Sequence, residues 1–237
     1  MVVSCPFVLA EATPSELPAA ALLLRETLGF EPADGVPAWL MQTVSGRGGV
    51  CLVARDGRRV VGASFALPVL DADGPSLFSC GLAVAVTHRG RGIGRALKEK
   101  QREEARALGL TAIRWTADPL NARALRLYLN GLGAELVAYH QGLYDQSRRG
   151  ARTPQDDVLF RWDIARTREP VAAVMPAGTV PVPWEAERLE HHEWLAWRHR
   201  VRDLVSGLLG SGLVGTRVVS QPERRRDLLE FRPAHDG

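Results

Sequence analysis

Lysine, cysteine and long apolar runs are scarce in this chain of 237 residues. The two lysines are Lys98 and Lys100, so nearly all of the 30 basic residues are arginines. The three cysteines, Cys5, Cys51 and Cys80, are too few and too widely spaced for a disulfide framework or a paired-cysteine metal site. No apolar run approaches the roughly 20 residues that a membrane span needs. These absences argue against a disulfide-rich secreted protein, a cysteine-based metal protein and an integral membrane protein.

The overall composition is that of an average globular protein. Charged residues make up 24% and hydrophobic residues 46% of the chain, which argues against disorder. A net charge of +3 spread over the whole chain is too weak to indicate nucleic acid as a partner. The first residues lack the basic segment that begins a signal peptide. We therefore expect a cytoplasmic protein that binds neither membranes nor nucleic acid.

The order of the predicted elements indicates an α+β fold with a mixed sheet. Residues 50–55 and 59–67 are β-rich runs on either side of an Asp-Gly turn, which predicts an antiparallel hairpin. Residues 77–86 are apolar enough for a central strand. Residues 93–108 have helical periodicity and end at Gly109. A further helix is predicted over residues 118–130.

The composition of the chain changes after residue 163. Four prolines within residues 165–183 indicate a linker, which can include a short strand. Residues 184–209 predict a helix, and residues 213–219 and 227–232 predict a hairpin. We expect a first domain over residues 1–167 and a C-terminal α/β extension over residues 168–237 that packs on it. The apolar face expected to pack, and to form a wall of the acceptor pocket or a dimer contact, consists of Trp194, Trp197, Val201, Leu204, Val205 and Leu208.

The segment most informative about chemistry is a loop of three glycines and three arginines over residues 89–95. An apolar strand precedes it and a helix follows at once. Glycines let the backbone approach a ligand, successive N–H groups and the helix N-terminus attract phosphate oxygens, and the arginines add positive charge. The pattern predicts an anion site, and the alternative is an ordinary glycine-rich turn. It is neither a P-loop nor a dinucleotide fingerprint, since it has no Gly-Lys-Ser/Thr ending and does not follow the first strand.

These residues resemble the GNAT superfamily of acyl-CoA-dependent N-acyltransferases. The family pattern Arg/Gln-x-x-Gly-x-Gly/Ala after the fourth strand is matched from Arg89, and the family's tyrosine seven residues after an Asn-x-x-Ala asparagine is matched by Asn121 and Tyr128. The resemblance covers about residues 5–164 and implies a mixed, mostly antiparallel twisted sheet flanked by helices. The runs WTADPL, LGA and RWDI are similar to a longer bacterial branch with a C-terminal α/β segment. Some members of that branch are associated with N-acylation of amino acids.

The resemblance also implies how an acyl-CoA would be held. Backbone groups at the end of the fourth strand would pair with the pantetheine arm, namely those of Leu82, Ala83 and Val84. The loop and helix start would hold the pyrophosphate, through Gly90, Arg91, Gly92, Ile93, Gly94 and Arg95. The expected acyl donor is acetyl-CoA or succinyl-CoA, and no metal is expected.

Two residues are predicted to be catalytic. Tyr128 would donate the proton to the leaving thiolate, with a core tyrosine as the alternative. Asp118 would be the general base or an ammonium anchor, with a helix-capping role before Pro119 as the alternative. Asn121 is expected to cap the helix or contact the cofactor. Cys80 could be a ping-pong thiol, but a buried small residue fits it better.

The predicted function is transfer of an acyl group from acyl-CoA to the amine of a small molecule by direct attack. An amino acid is one such acceptor. The protein could act as a homodimer. A non-catalytic acyl-CoA sensor is the alternative: it would keep the loop and need neither Tyr128 nor Asp118. An RNA- or protein-directed acyltransferase is a third interpretation, in which the basic C-terminal region recruits the partner.

Overall fold

The computed structural model describes residues 7–71, 74–144, 154–165 and 175–234. The described residues form two compact units, the first ending at Trp115 and the second beginning at Thr116. No helix within these ranges is both long and apolar enough to cross a membrane.

The first unit is built on a mixed sheet. Its strands are β1 (Val8–Glu11), β2 (Val50–Asp56), β3 (Arg59–Asp71), β4 (Gly74–Val84) and β5 (Ala112–Ala117), whose last two residues belong to the second unit. Strands β1 to β4 pair antiparallel in chain order, and β5 pairs with β4 in parallel. The predicted hairpin is confirmed: β2 and β3 are joined by a turn in which Gly57 has a φ of 57°.

Three helices cover this sheet. They are α1 (Leu17–Leu28), α2 (Ala38–Val44) and α3 (Ile93–Ala107). Two strand glycines let α1 and α3 approach opposite faces of the sheet. A Cβ at Gly81 would lie 2.9 Å from Leu24 of α1, and one at Gly62 would lie 2.7 Å from Ile93 of α3. The helix predicted over residues 93–108 is thereby confirmed and placed against the sheet.

The second unit contains an antiparallel sheet and one long helix. Its elements are α4 (Ala122–Leu125), a π-helical segment (Arg126–Leu132), β6 (Glu135–His140), β7 (Asp157–Asp163), β8 (Gly178–Pro183), α5 (His191–Gly210), β9 (Leu213–Gln221) and β10 (Arg226–Pro233). The strand order in this unit is β7-β6-β9-β10-β8. The predicted C-terminal hairpin is confirmed as β9 and β10, which are antiparallel neighbours.

The C-terminal strands extend the sheet from β6. Leu136 of β6 pairs with Gly215 of β9. The Asn130 side chain strengthens this junction, because its Nδ2 donates to the Val218 carbonyl at 2.8 Å and its Oδ1 accepts from the Val218 N–H at 2.9 Å. Part of the predicted extension and part of the predicted core therefore share one sheet. The predicted domain boundary at residues 167 and 168 lies outside the described residues and stays a prediction.

Two helices begin later than the sequence predicted. The chain from Asp118 first makes a turn, in which the Asp118 carboxylate accepts the Leu120 N–H at 2.8 Å, and α4 starts only after Asn121. The helix predicted from residue 184 starts at His191, because a 3-10 turn comes first and the Glu193 carboxylate accepts the Glu190 N–H at the helix start. Within α4 the Asn121 side chain accepts the Ala124 N–H, and the Glu190 and Glu193 side chains form a capping box at the start of α5, so side chains fix both helix starts.

The predicted apolar face of α5 is partly wrong. Trp194, Val201 and Val205 are buried as expected, but Leu204 is 39% exposed. Arg198 fills the central position of the buried face instead and is 1% exposed. Hydrophobic periodicity missed it because an arginine enters such a face only when a partner balances its charge.

An ion pair with a buried carboxylate holds the π-helical segment to β10. Arg126 donates to the two carboxylate oxygens of Asp227 at 2.7 and 3.1 Å, and Trp184 Nε1 donates to the same carboxylate at 2.7 Å. Asp227 is fully buried, whereas the Arg126 side chain is 39% exposed. This pair fixes the segment that carries Tyr128.

We expect Arg126→Gln to lower the free energy of unfolding by about 3 kcal/mol, because it leaves the buried Asp227 carboxylate without its cation. Urea unfolding would measure the loss. Arg123→Gln is the matched control, since Arg123 is exposed on the preceding turn and its loss should cost less than about 0.5 kcal/mol. Equal effects of the two substitutions would contradict the assignment of the pair as a structural anchor.

Candidate functional site

The predicted anion loop lies between the end of β4 and the start of α3. The backbone enters it through a 3-10 turn (Val86–His88), and Gly92 is the residue before the first turn of α3. Gly90 and Gly92 have φ values of 78° and 81°, a left-handed conformation that favours glycine. A Cβ at either position would meet no other atom within 4 Å. The loop is therefore open at Gly90 and Gly92, as backbone binding of an anion requires.

Arginine side chains surround this opening. Arg89, Arg91 and Arg95 are all exposed. Arg89 folds back, and its Nε donates to the Val84 carbonyl at 3.2 Å. The loop thus combines the positive end of a helix with exposed arginine side chains, and this arrangement suits a diphosphate.

His88 ties the loop to the neighbouring hairpin. One ring nitrogen, Nδ1, lies 2.9 Å from the Thr87 hydroxyl, and the other, Nε2, lies 3.0 Å from the Asp56 carboxylate. Asp56 is the last residue of β2, so the contact joins the entry of the loop to the β2–β3 turn. Sequence analysis missed this pair because its members are 32 residues apart and match no motif.

Strand β4 has an irregularity just before Leu82, where the resemblance places the pantetheine arm. Phe65 of β3 pairs with Gly81, and Ala66 pairs with Ser79, so Cys80 is an extra residue in β4. Such a bulge locally redirects a strand. Burial raises the pKa of the Cys80 thiol to about 11. The thiol therefore stays protonated near neutral pH, which disfavours a ping-pong role.

The C-terminal end of β4 has one paired edge. Leu82, Ala83 and Val84 pair with β3, whereas the described pairing of β4 with β5 joins Leu77 to Ile113 and Phe78 to Arg114. Within the described residues, the second edge at Leu82 to Val84 has no strand partner. A ligand with amide groups can pair with such an edge as an added strand would.

In the second unit, Asp118 lies in the turn that follows β5. Its Oδ1 accepts the Leu120 N–H and forms an ion pair with Arg198 Nη1 at 2.8 Å. The Asp118 side chain is 37% exposed, whereas that of Arg198 is 1% exposed. The capping interaction offered as the alternative is therefore present, together with an arginine that the sequence did not indicate.

Asn121 caps α4, since its Oδ1 accepts the Ala124 N–H at 3.1 Å. Its side chain is exposed. The capping role expected for it is therefore observed. A contact with the cofactor stays a prediction.

Tyr128 is buried in the π-helical segment and is 9% exposed. Its ring packs edge-on against Phe160, with 5.1 Å between ring centroids. Burial, and then the negative charge of Asp157, raise the pKa of Tyr128 to about 12. The hydroxyl therefore remains a proton-carrying donor throughout the physiological range. π-Helical turns inserted in helices are frequent at functional sites.

A second ionic cluster lies on the inner side of α5. Asp156, which is 1% exposed, accepts two hydrogen bonds from Arg202 at 2.9 Å each and one from the Tyr139 hydroxyl at 2.7 Å. Arg198 also donates to the Asp156 carbonyl at 3.2 Å. Burial, and then the hydrogen bond to Asp156, raise the pKa of Tyr139 above its usual range. The cluster ties α5 to the segment just before β7.

Comparison with known families identifies much of the first unit and the start of the second. Residues 18–134 match the acetyltransferase (GNAT) family. This part of the chain belongs to the GNAT family of acetyltransferases. The GNAT assignment makes the protein, by class, an acyl-CoA-dependent N-acyltransferase, and it confirms the resemblance at the family level.

Several solved acetyltransferase structures share the fold of this chain. The ribosomal-protein-S18-alanine N-acetyltransferase from Escherichia coli has 18% identity and a TM-score of 0.52, covering 70% of this chain and 98% of that chain. YncA from Salmonella typhimurium, solved with its cofactor acetyl-CoA, has 18% identity and a TM-score of 0.56, covering 71% and 99%. A GNAT family acetyltransferase from Elizabethkingia anophelis with acetyl-CoA bound has 15% identity and a TM-score of 0.51, covering 67% and 98%. Identities this low show a shared fold. The comparison with curated proteins gave no match.

The predicted fold class is confirmed as a GNAT fold with additional C-terminal strands. The described residues contain no group of three or more His, Cys, Asp or Glu side chains that could hold a metal ion. The residues predicted for the acyl-CoA site and for catalysis are tested by none of these comparisons, so their roles stay predictions.

Proposed function

We propose that this GNAT protein transfers an acetyl or succinyl group from acyl-CoA to the amine of a small molecule, with amino acids as the first acceptors to test. The observation that carries the proposal is the open loop at Gly90 and Gly92, which begins α3 and is lined by exposed arginines. Acyl-CoA is the ligand that combines a diphosphate with a reactive thioester. Acetyl-CoA is the donor supported by the related structures that contain it.

In this proposal the first unit binds the donor. The backbone N–H groups from Gly90 to Arg95 receive the pyrophosphate, and the side chains of Arg91 and Arg95 add charge. The unpaired edge at Leu82 to Val84 takes the amide groups of the pantetheine arm. The support for both roles is the left-handed glycines of the loop and the limited pairing between β4 and β5.

Two residues, Tyr128 and Asp118, have proposed roles in the chemistry. The Tyr128 hydroxyl donates its proton to the departing thiolate sulfur. The burial of Tyr128 supports this role as an acid, because a desolvated donor interacts more strongly with developing charge. Asp118 attracts the acceptor's ammonium group, which loses a proton to solvent water and becomes the neutral, attacking amine. As the C–N bond to the thioester carbon forms, the C–S bond breaks, and the second proton of the nitrogen also leaves to water. The direct attack needs no enzyme nucleophile, in agreement with the protonated Cys80 thiol.

A screen of amines against acetyl-CoA and succinyl-CoA tests this function. We expect release of free CoA thiol that depends on one class of amine and on one of the two donors. Omitting the amine controls for thioester hydrolysis. Tight CoA binding without turnover on any amine would contradict the proposal and favour the sensor. Turnover confined to a protein or RNA acceptor would favour the third interpretation.

Three narrower proposals concern the branch, the assembly and the location. The WTADPL run and the C-terminal strands support the longer bacterial branch of the family.

A homodimer through the edge strand β8 is disfavoured, because Pro181 and Pro183 lack the N–H groups that pairing would use. A homodimer would therefore use another surface. The cytoplasm remains the location we expect from the sequence.

A further inference from the structure

Arg198 is buried, although its guanidinium group is only partly satisfied by hydrogen bonds. It is 1% exposed, and its guanidinium lies 4.7 Å from the centre of the Trp194 ring. It reaches Asp118 Oδ1 and the Asp156 carbonyl through one nitrogen, Nη1, and its Nε has no hydrogen-bond partner in the described part of the chain. Burying a guanidinium costs several kcal/mol, and incomplete hydrogen bonding recovers less of that cost.

The carboxylate that Arg198 binds is not buried. The Asp118 side chain is 37% exposed, and Oδ1 alone is occupied, by Arg198 and by the Leu120 N–H. Within the described residues, no hydrogen bond to Asp118 Oδ2 is formed. The pair therefore leaves one carboxylate oxygen fixed in direction and available to a hydrogen-bond donor from outside.

The neighbouring Asp156 provides a contrast. It is buried, and Arg202 and the Tyr139 hydroxyl satisfy both of its carboxylate oxygens. That arrangement has the features of a stabilising ion pair, since no oxygen remains for a ligand. Arg198, one turn away on the same helix, binds only the backbone carbonyl of Asp156 and forms its ion pair with the exposed carboxylate of Asp118.

We propose that Arg198 is a positioning residue. It orients Asp118 so that Oδ2 accepts a hydrogen bond from the ammonium group of the acceptor substrate. The inference rests on the proposed function and specifies its acceptor site. A carboxylate held by two contacts on Oδ1 cannot rotate away, so its second oxygen presents a fixed negative charge to a cationic amine. The inference also gives the C-terminal extension a function, because Arg198 of α5 orients the Asp118 carboxylate that lies within the family domain.

The test compares Arg198→Gln, Asp118→Asn and the double variant in steady-state turnover of the full chain, with the best amine and donor from the screen. We expect Arg198→Gln to lower kcat/KM for the amine about 10- to 100-fold, mostly through KM, as misplaced binding groups do. Affinity for CoA, measured by calorimetry, should stay within about twofold. On the Asp118→Asn background, Arg198→Gln should add less than about threefold, because both changes remove the same interaction.

Arg202→Gln is the matched control. It removes an arginine from the same helix and weakens the protein, but it does not touch Asp118. Its kcat/KM should stay within about threefold of wild type at temperatures where both variants are folded. Arg198→Lys should recover part of the lost activity, since an ammonium can reach Oδ1 without the planar fork. It also carries the test if Arg198→Gln fails to fold.

Unchanged kcat/KM for the amine in Arg198→Gln, or the same loss in Arg202→Gln, would overturn the inference while leaving the proposed function intact. Multiplicative effects of the Asp118 and Arg198 substitutions would also overturn it. A wild-type protein that binds CoA and acylates no amine would refute the proposed function, and the inference with it.

Discussion

Gly92→Asp is expected to abolish binding of CoA while leaving the protein folded. The residue adopts a φ of 81° immediately before α3, and a Cβ there would point into open space. An added carboxylate would occupy that space and oppose the pyrophosphate at close range, where like charges repel strongly. We expect at least about a 100-fold loss of CoA affinity, a coupling of the size that close charge pairs show at binding sites. Calorimetry with CoA measures it directly.

Gly109→Asp separates this effect from backbone strain. Gly109 follows the other end of α3, has a φ of 74°, and also has open space where a Cβ would be. It therefore suffers the same unfavourable conformation and gains the same charge away from the loop. The two variants should melt at similar temperatures, and CoA affinity should fall only in Gly92→Asp. Unchanged affinity in a folded Gly92→Asp protein would show that the loop does not hold the pyrophosphate.

Local patterns predicted the parts of the fold that depend on local chemistry. The Asp56-Gly57 turn and the periodicity of α3 are properties of a few neighbouring residues, and both elements formed where expected. Helix starts were less predictable. The start of α4 depends on whether Asp118 and Asn121 cap or continue the helix, and propensity does not decide between these two outcomes.

Contacts over long sequence distances were not predictable from one sequence. Arg126 and Asp227 are 101 residues apart, and Arg198 is 80 residues from Asp118 (198 minus 118). Neither pair belongs to a periodic pattern or a motif. The glycine loop was visible because its function requires special backbone conformations and hence glycine itself. The partner that orients Asp118 was invisible because an arginine on an amphipathic helix usually faces solvent.

Tyr128→Phe is expected to lower kcat about 100-fold, within the range for loss of a positioned acid, and to change CoA affinity by less than about twofold. The substitution removes the hydroxyl and keeps the ring that packs against Phe160. Because burial and Asp157 raise the pKa of Tyr128 to about 12, the hydroxyl stays protonated at every lower pH. Ionisation of Tyr128 would therefore reduce kcat only as the pH approaches that value. Any fall in kcat near about pH 8–9 must come from another group and should persist in Tyr128→Phe.

Tyr139→Phe is the control that distinguishes an acid from a structural tyrosine. Its hydroxyl donates to the buried Asp156 carboxylate at 2.7 Å, so its loss should lower the free energy of unfolding by about 1.5 kcal/mol and leave kcat unchanged. Tyr128→Phe should instead lower kcat in pre-steady-state and steady-state turnover. Its free energy of unfolding, measured in urea, should change little. If Tyr128→Phe kept activity within about threefold of wild type and lost stability instead, Tyr128 would be a packing residue, and protonation of the thiolate by water would suffice. The two tyrosines lie in the same unit and undergo the same chemical change, so a difference in kcat between the variants can be assigned to the position of the hydroxyl.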